Sequence, residues 1–115
     1  MAGLPAVDLV YSVIVLQHNP PPVMRALFEA LLGRIAPGGA AVIQVPTYLP
    51  AGYRFDLAEY EKGSGKEMEM HALPQREVFS LARAAGMDVL EVLEDAWTGF
   101  GAGSRSNTFV MRRAG

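Results

Sequence analysis

Three consecutive polar residues, Gln17, His18 and Asn19, close an apolar run from Val7 to Leu16, and Pro20 follows them. A histidine titrates near neutral pH, so His18 is the residue best suited to take a proton from an alcohol or amine nucleophile. Two readings of it stand side by side: a general base, or a structural residue of the turn. His71 is the only other histidine, and it could face the same cleft. With no cysteine in the chain and only two histidines, isolated from one another in sequence, no metal site is expected.

The run that must position these residues is Val7-Asp8-Leu9-Val10-Tyr11-Ser12-Val13-Ile14-Val15-Leu16. Eight of its ten residues are apolar or aromatic and many are β-branched, which predicts a central strand buried on both faces of a parallel sheet. Ligands of such sheets bind outside the carboxyl ends of the strands, so Gln17 and His18 fall where chemistry is done. Periodicity alone carries the strand to Leu16. Pro20-Pro21-Pro22 then opens a helix, since proline is tolerated in a first turn. Met24, Leu27, Phe28, Leu31 and Ile35 form its apolar stripe. Pro37-Gly38-Gly39 is read as the end of that helix, and Ala40 to Pro46 as a second strand with Gln44 near its end.

Residues 47–72 show no clean period and carry Tyr48, Tyr53, Arg54, Phe55, Tyr60, Met68 and Met70. A connection of this length reads as a lid or substrate loop, with a short helix over Asp56 to Glu61 as the alternative. Leu73-Pro74-Gln75-Arg76 opens a second helix, with Val78, Leu81, Ala82 and Ala85 on one face and Gly86 at its end. Met87 to Glu94 and Asn107 to Arg112 read as strands of a closing hairpin. Trp97, between them, is either a substrate contact or a core anchor.

Three glycine-containing stretches fail as nucleotide fingerprints. Pro37-Gly38-Gly39 precedes a strand, whereas a phosphate loop follows one and opens a helix. Gly63-Ser64-Gly65-Lys66 would need glycine at Tyr60 and Ser or Thr at Glu67. Gly99-Phe100-Gly101-Ala102-Gly103 links two strands with no helix after it.

At 115 residues the chain supports one domain, 1–115, and its 50% hydrophobic content describes an ordinary soluble globular protein. Ten basic residues against twelve acidic ones argue against sequence-independent nucleic-acid binding. No basic leader precedes the first apolar run, and that run is far shorter than the roughly 20 residues a bilayer requires, so a cytoplasmic location without a membrane span is expected.

Asp8-Leu9-Val10-Tyr11-Ser12, Val15-Leu16-Gln17-His18-Asn19-Pro20, Leu31-Leu32 and Ala36-Pro37-Gly38-Gly39 together resemble the second half of a class I S-adenosylmethionine-dependent methyltransferase. In that family an aspartate opens the fourth strand, a Leu-x-His turn follows it, and Pro-Gly-Gly leads into the fifth strand. The resemblance is specific over residues 7–46 and looser from there to Arg112. It implies a partial Rossmann-like α/β fold: parallel strands with flanking helices, then an antiparallel hairpin whose last strand inserts against the others. It also implies that the first strand stops near Ser12 or Val13, with Leu16 turned into the core. Relatives that bind divalent ions through a Glu-x-x-Glu-His turn have glutamates where this chain has Ile14 and Gln17. The family's glycine-rich cofactor loop, and the acidic residue that holds the ribose hydroxyls, have no counterpart in the 115 residues.

What the resemblance implies for function is methylation of a small molecule with S-adenosylmethionine as cofactor. Ser12, Val13 and Gln17 would lie on the donor side, His18 would be the catalytic residue, and Gln44, Tyr48, His71 and Trp97 would line the acceptor side. The chain alone is expected to be inactive. Two non-enzymatic readings remain beside it: an oligomerising fragment and a small α/β binding module. An in-frame glycine-rich loop encoded upstream of Met1 would favour the enzyme. If the first strand is left as a sheet edge, a homo-oligomer through the 7–13 edge is expected.

Overall fold

The computed structural model describes residues 5–13, 16, 19–49, 71–95 and 103–115. Expectations placed on Gln17, His18, Trp97 and residues 50–70 lie outside these. The described elements are β1 (Val7–Ser12), α1 (Pro21–Leu32), β2 (Ile35–Tyr48), α2 (Gln75–Ala84), β3 (Met87–Asp95) and β4 (Arg105–Arg113).

The sheet order is β1-β2-β4-β3. β1 pairs parallel with β2, and β4 pairs antiparallel with both β2 and β3. Hence β3 runs in the direction of β1 and β2, and β4 alone is reversed. This is the inserted closing strand that the resemblance implied. β1 ends at Ser12 rather than at Leu16, and Leu16 is 1% exposed inside the core. Periodicity could not find that end because the apolar residues after Ser12 prolong the same pattern.

Strand alternation decides which residues meet the helices. Ala41, Ile43 and Val45 of β2, with Phe109 and Met111 of β4, pack against Met24, Phe28 and Leu32 of α1 and Val78, Leu81 and Ala82 of α2. Ala85 packs half-buried beside them, completing the stripe expected for the second helix. On β1, Val10 lies level with Ala41 and Ser12 with Ile43, so these two share the helix-covered face. Leu9 and Tyr11 lie on the other face and are 58% and 69% exposed. β1 is therefore an edge strand with one bare face, not a strand buried on both sides. The cause is topological: β1 has one described neighbour, and the described helices pack on one face.

The helix after Pro20 also departs from expectation. α1 ends at Leu32, with Gly33 as its C-cap, and Ile35 is already a buried residue of β2. The Val7 N–H donates to the Arg34 carbonyl at 2.8 Å, which draws the chain out of the helix before Pro37 is reached. Ile35 looked helical because it stands four residues after Leu31, the spacing of a helical stripe. Pro37-Gly38-Gly39 is a bulge inside β2, which uses the steps from Ile35 to Ala40 to match those from Val7 to Leu9. Gly38 has φ 81° there. A Cβ on Gly39 would come within 2.9 Å of the Asp8 carbonyl oxygen, so only glycine lets β1 and β2 close at this point.

At the amino ends of β1, β2 and β3, one side chain joins three elements. The Arg113 guanidinium donates from Nη2 to the Leu32 carbonyl at 2.7 Å, from Nη1 to the Ala85 carbonyl at 2.7 Å, and from Nε to the Ile35 carbonyl at 2.8 Å. Leu32 and Ala85 sit at the ends of α1 and α2, whose last carbonyls have no partner within the helix and carry partial negative charge. One cation therefore satisfies both helix ends and the start of β2.

Candidate functional site

At the opposite end of the sheet the same strands stop among polar side chains. Ser12 is 8% exposed, and its Oγ has no hydrogen-bond partner. Val13 beside it is half-buried. The chain then turns back toward α1, where the Asn19 N–H and Nδ2 both donate to the Leu16 carbonyl, at 3.1 and 3.3 Å. That turn leaves Leu16 in the core and brings the start of α1 to the carboxyl end of β1.

β2 runs past Ser12 and ends in a buried polar network. Gln44 has no exposed surface, and its Nε2 donates to Ser106 Oγ at 2.7 Å. Two residues on, Pro46 accepts the Leu73 N–H at 2.9 Å. Thr47 Oγ1 donates to Asn107 Oδ1 at 2.6 Å, and Gln75 Nε2 donates to the same oxygen at 2.9 Å. Asn107 Nδ2 donates in turn to the Leu93 carbonyl at 3.3 Å. Alongside, Thr108 Oγ1 donates to Asp95 Oδ2 at 2.7 Å. Buried polar groups need partners of this kind, and the ends of β2, β3, β4 and α2 supply them to one another.

The residues singled out from the sequence are distributed as follows. Ser12, Val13, Gln44, Tyr48 and His71 all belong to the carboxyl end of β1 and β2, where the tie between Pro46 and Leu73 returns the chain to the sheet. Tyr48 is 45% exposed and His71 half-buried, so both stand at the rim. Gln44 lies beneath them, on the face opposite Ser12. Sequence reasoning passed over Thr47, Gln75, Ser106 and Asn107. Their only signal is hydroxyl and amide side chains at strand and helix ends, a pattern shared with ordinary surface turns.

A groove of about 470 Å³ lies elsewhere, lined by Phe79, Ala82, Arg83, Gly86, Met87 and Asp88 among others. It runs along α2 at the amino end of β3 and contains none of the candidate site residues. Among the described residues no cluster of three or more His, Asp or Glu could hold a metal ion. No described helix is long and apolar enough to cross a membrane.

No family model and no curated protein matches the sequence. Solved structures do match the fold. The magnesium protoporphyrin IX methyltransferase of Synechocystis, with bound S-adenosylhomocysteine, superposes with a TM-score of 0.67 at 12% identity, covering 96% of this chain and 47% of that one. An N-methyltransferase of Bradyrhizobium japonicum, in complex with the same molecule, gives 0.61 at 17% identity, over 98% and 49% of the two chains. The 1,6-didemethyltoxoflavin N1-methyltransferase of Burkholderia thailandensis, bound to 1,6-didemethyltoxoflavin and S-adenosylhomocysteine, gives 0.64 at 16% identity, over 100% and 47%. The chain spans about half the length of these solved structures. Its strand order, its single reversed strand and these superpositions together give it a partial Rossmann-like fold, that of the class I S-adenosylmethionine-dependent methyltransferases.

Proposed function

We propose that this chain is the carboxyl-terminal half of an S-adenosylmethionine-dependent methyltransferase acting on a small molecule, carrying part of the donor pocket and much of the acceptor side. The observation that carries the proposal is the Ser12 hydroxyl, buried without a partner at the carboxyl end of β1. An unsatisfied buried hydroxyl costs about 1–3 kcal/mol, and a polar group of a ligand would recover it. Support comes also from the solved structures, which were obtained with S-adenosylhomocysteine bound, in one case together with 1,6-didemethyltoxoflavin. In this reading Ser12, Val13 and Gln17 border the donor. His18 takes the acceptor's proton, or shapes the turn that carries it. Gln44, Tyr48, His71 and Trp97 form the acceptor side.

The fit to the donor is partial. Ser12 offers one hydroxyl, whereas the donor's carboxylate and ribose diol would need the glycine-rich turn and the acidic residue that this sequence lacks. Several polar ligand groups would go unpaired at about 1 kcal/mol or more each, enough to remove most of the affinity. The 115-residue polypeptide is therefore expected to show no turnover and to bind S-adenosylhomocysteine no more tightly than about millimolar. Amide NMR during a titration tests this, with shifts expected at Ser12 and Val13. Micromolar affinity would overturn the partial fit, and shifts confined to residues away from the carboxyl ends of β1 and β2 would overturn the methyltransferase reading.

A second reading, a non-catalytic oligomerising module, is favoured by β1 itself. Its exposed Leu9 and Tyr11 and its open edge form a template for another strand. Under this reading a homodimer buries the 7–13 edge. A monomer by light scattering at high concentration, with fast amide exchange along Val10 to Val13, would rule it out.

A further inference from the structure

Tyr48 and His71 stand on either side of the connection between β2 and α2, Tyr48 where the chain leaves the sheet and His71 where it returns. Their placement depends on how the two stems are held. The outgoing stem carries Thr47 and the incoming stem carries Gln75, and both donate to one oxygen, Oδ1 of Asn107, at 2.6 and 2.9 Å. A carboxamide oxygen has two lone pairs, so this atom is fully used. The Asn107 Nδ2 donates one of its N–H groups to the Leu93 carbonyl of β3. Asn107 is 7% exposed, so water replaces none of these bonds at low cost.

The clasp is reinforced where the stems touch. The Leu73 N–H donates to the Pro46 carbonyl, and Leu49, Ala72 and Leu73 are 7%, 1% and 0% exposed. Tyr48 and His71 each lie two residues beyond this tie, too few for either to wander far from it. We infer that Asn107 is a positioning residue: its side chain clasps both stems and thereby sets Tyr48 and His71 at the rim of the carboxyl end. Asparagine suits the position because it both accepts twice and donates; leucine has its size without either capacity, and aspartate accepts without donating. The inference rests on the acceptor-side reading for its functional meaning, though the clasp itself can be tested without any ligand.

The test is amide hydrogen exchange and imidazole NMR on the whole chain. In Asn107→Leu the Leu73 amide should exchange about tenfold faster relative to the Phe109 and Met111 amides, and the His71 ring signal should move toward that of free histidine. Asn107→Asp, which keeps the two acceptor contacts, should restore most of the Leu73 protection. Thr47→Val removes one of the two donors and should give a smaller change of the same kind; it decides the matter alone if Asn107→Leu does not fold. Equal acceleration at Leu73, Phe109 and Met111 would mean that Asn107 only stabilises the sheet, and would overturn the inference. So would an unmoved His71 signal. Failure of the S-adenosylhomocysteine titration would leave all of these outcomes untouched, which keeps the two proposals separable.

Discussion

The two ends of the sheet solve the same problem with opposite chemistry. At the amino ends of β1, β2 and β3 a single cation, Arg113, meets three backbone carbonyls, while in the same region Arg34 Nε is buried without a partner. At the carboxyl ends most of the buried bonds run between amides, hydroxyls and backbone carbonyls of β2, β3, β4 and α2, with the Asp95 carboxylate accepting from Thr108, and Ser12 Oγ is left without a partner. The contrast separates holding from binding. Charge-assisted bonds to helix-end carbonyls are strong and specific to the chain's own backbone, so they close an end. At the carboxyl end the unpartnered group, the Ser12 hydroxyl, stands among the candidate site residues, where a ligand could meet it.

Removing Arg113 should have the largest effect. Arg113→Ala strips the partner from three carbonyls at once and is expected to lower unfolding free energy by about 2–4 kcal/mol, read from the urea midpoint. Arg113→Lys should recover little, because one ammonium lacks the planar fork that reaches three separate acceptors. A loss below about 1 kcal/mol for Arg113→Ala would end the contrast, since the clamp would then be worth no more than an exposed contact.

Next in size is Gln44→Met, which leaves the Ser106 hydroxyl without its donor at a buried position. A loss of about 1–2 kcal/mol is expected, most of it restored when Ser106→Ala is added, because deleting both partners removes the orphan. Additive losses in this double-mutant cycle would show that the two side chains do not act together.

Ser12→Ala sharpens the comparison from the other direction. Deleting a hydroxyl that has no partner should leave thermal stability unchanged or raise it by up to about 1 kcal/mol, while abolishing any ligand-induced shift at Ser12. A clear loss of stability would mean that the hydroxyl is already satisfied.

The smallest effect belongs to a charged pair near the carboxyl end. Arg25 donates to both carboxylate oxygens of Glu77 at 2.8 and 3.0 Å, tying the first turns of α1 and α2, but these side chains are 42% and 31% exposed. Arg25→Met should cost about 0.5 kcal/mol or less, declining further in about 1 M salt. A loss matching that of Arg113→Ala would show that charge alone, rather than its pairing with helix-end carbonyls, sets the strength of the clamp.

The sequence made some of this legible and hid the rest for identifiable reasons. α2 was plain because Val78, Leu81, Ala82 and Ala85 keep a helical period between Pro74 and Gly86. The reversed position of β4 could be read only through the methyltransferase resemblance, since periodicity says nothing about strand order. α1 was read past its end because Gly33 and Arg34 are weaker breakers than Pro37-Gly38-Gly39, which instead form a bulge. The polar network escaped notice because Thr47 and Asn107 are 60 residues apart, and each alone resembles a surface residue. Arg113, a long cation at the end of a strand, likewise looks solvent-bound until both helix ends arrive beside it. Ser12 was named through the resemblance, but its lack of a partner is visible only once the strands are packed.

The position of β4 also dictates when the domain can assemble. β2 and β3 are not neighbours; each pairs with β4, which is synthesised after both. Until Arg105–Arg113 has emerged from the ribosome, β2 keeps one edge open, and β3 lacks the described strand it pairs with. Joining Ala40 to Arg112 then closes a loop over most of the chain, the kind of contact that forms slowly. Completion of the described sheet is thus a late event, and the interval before it is when the nascent chain, with the β2 edge bare, is most open to association with its neighbours.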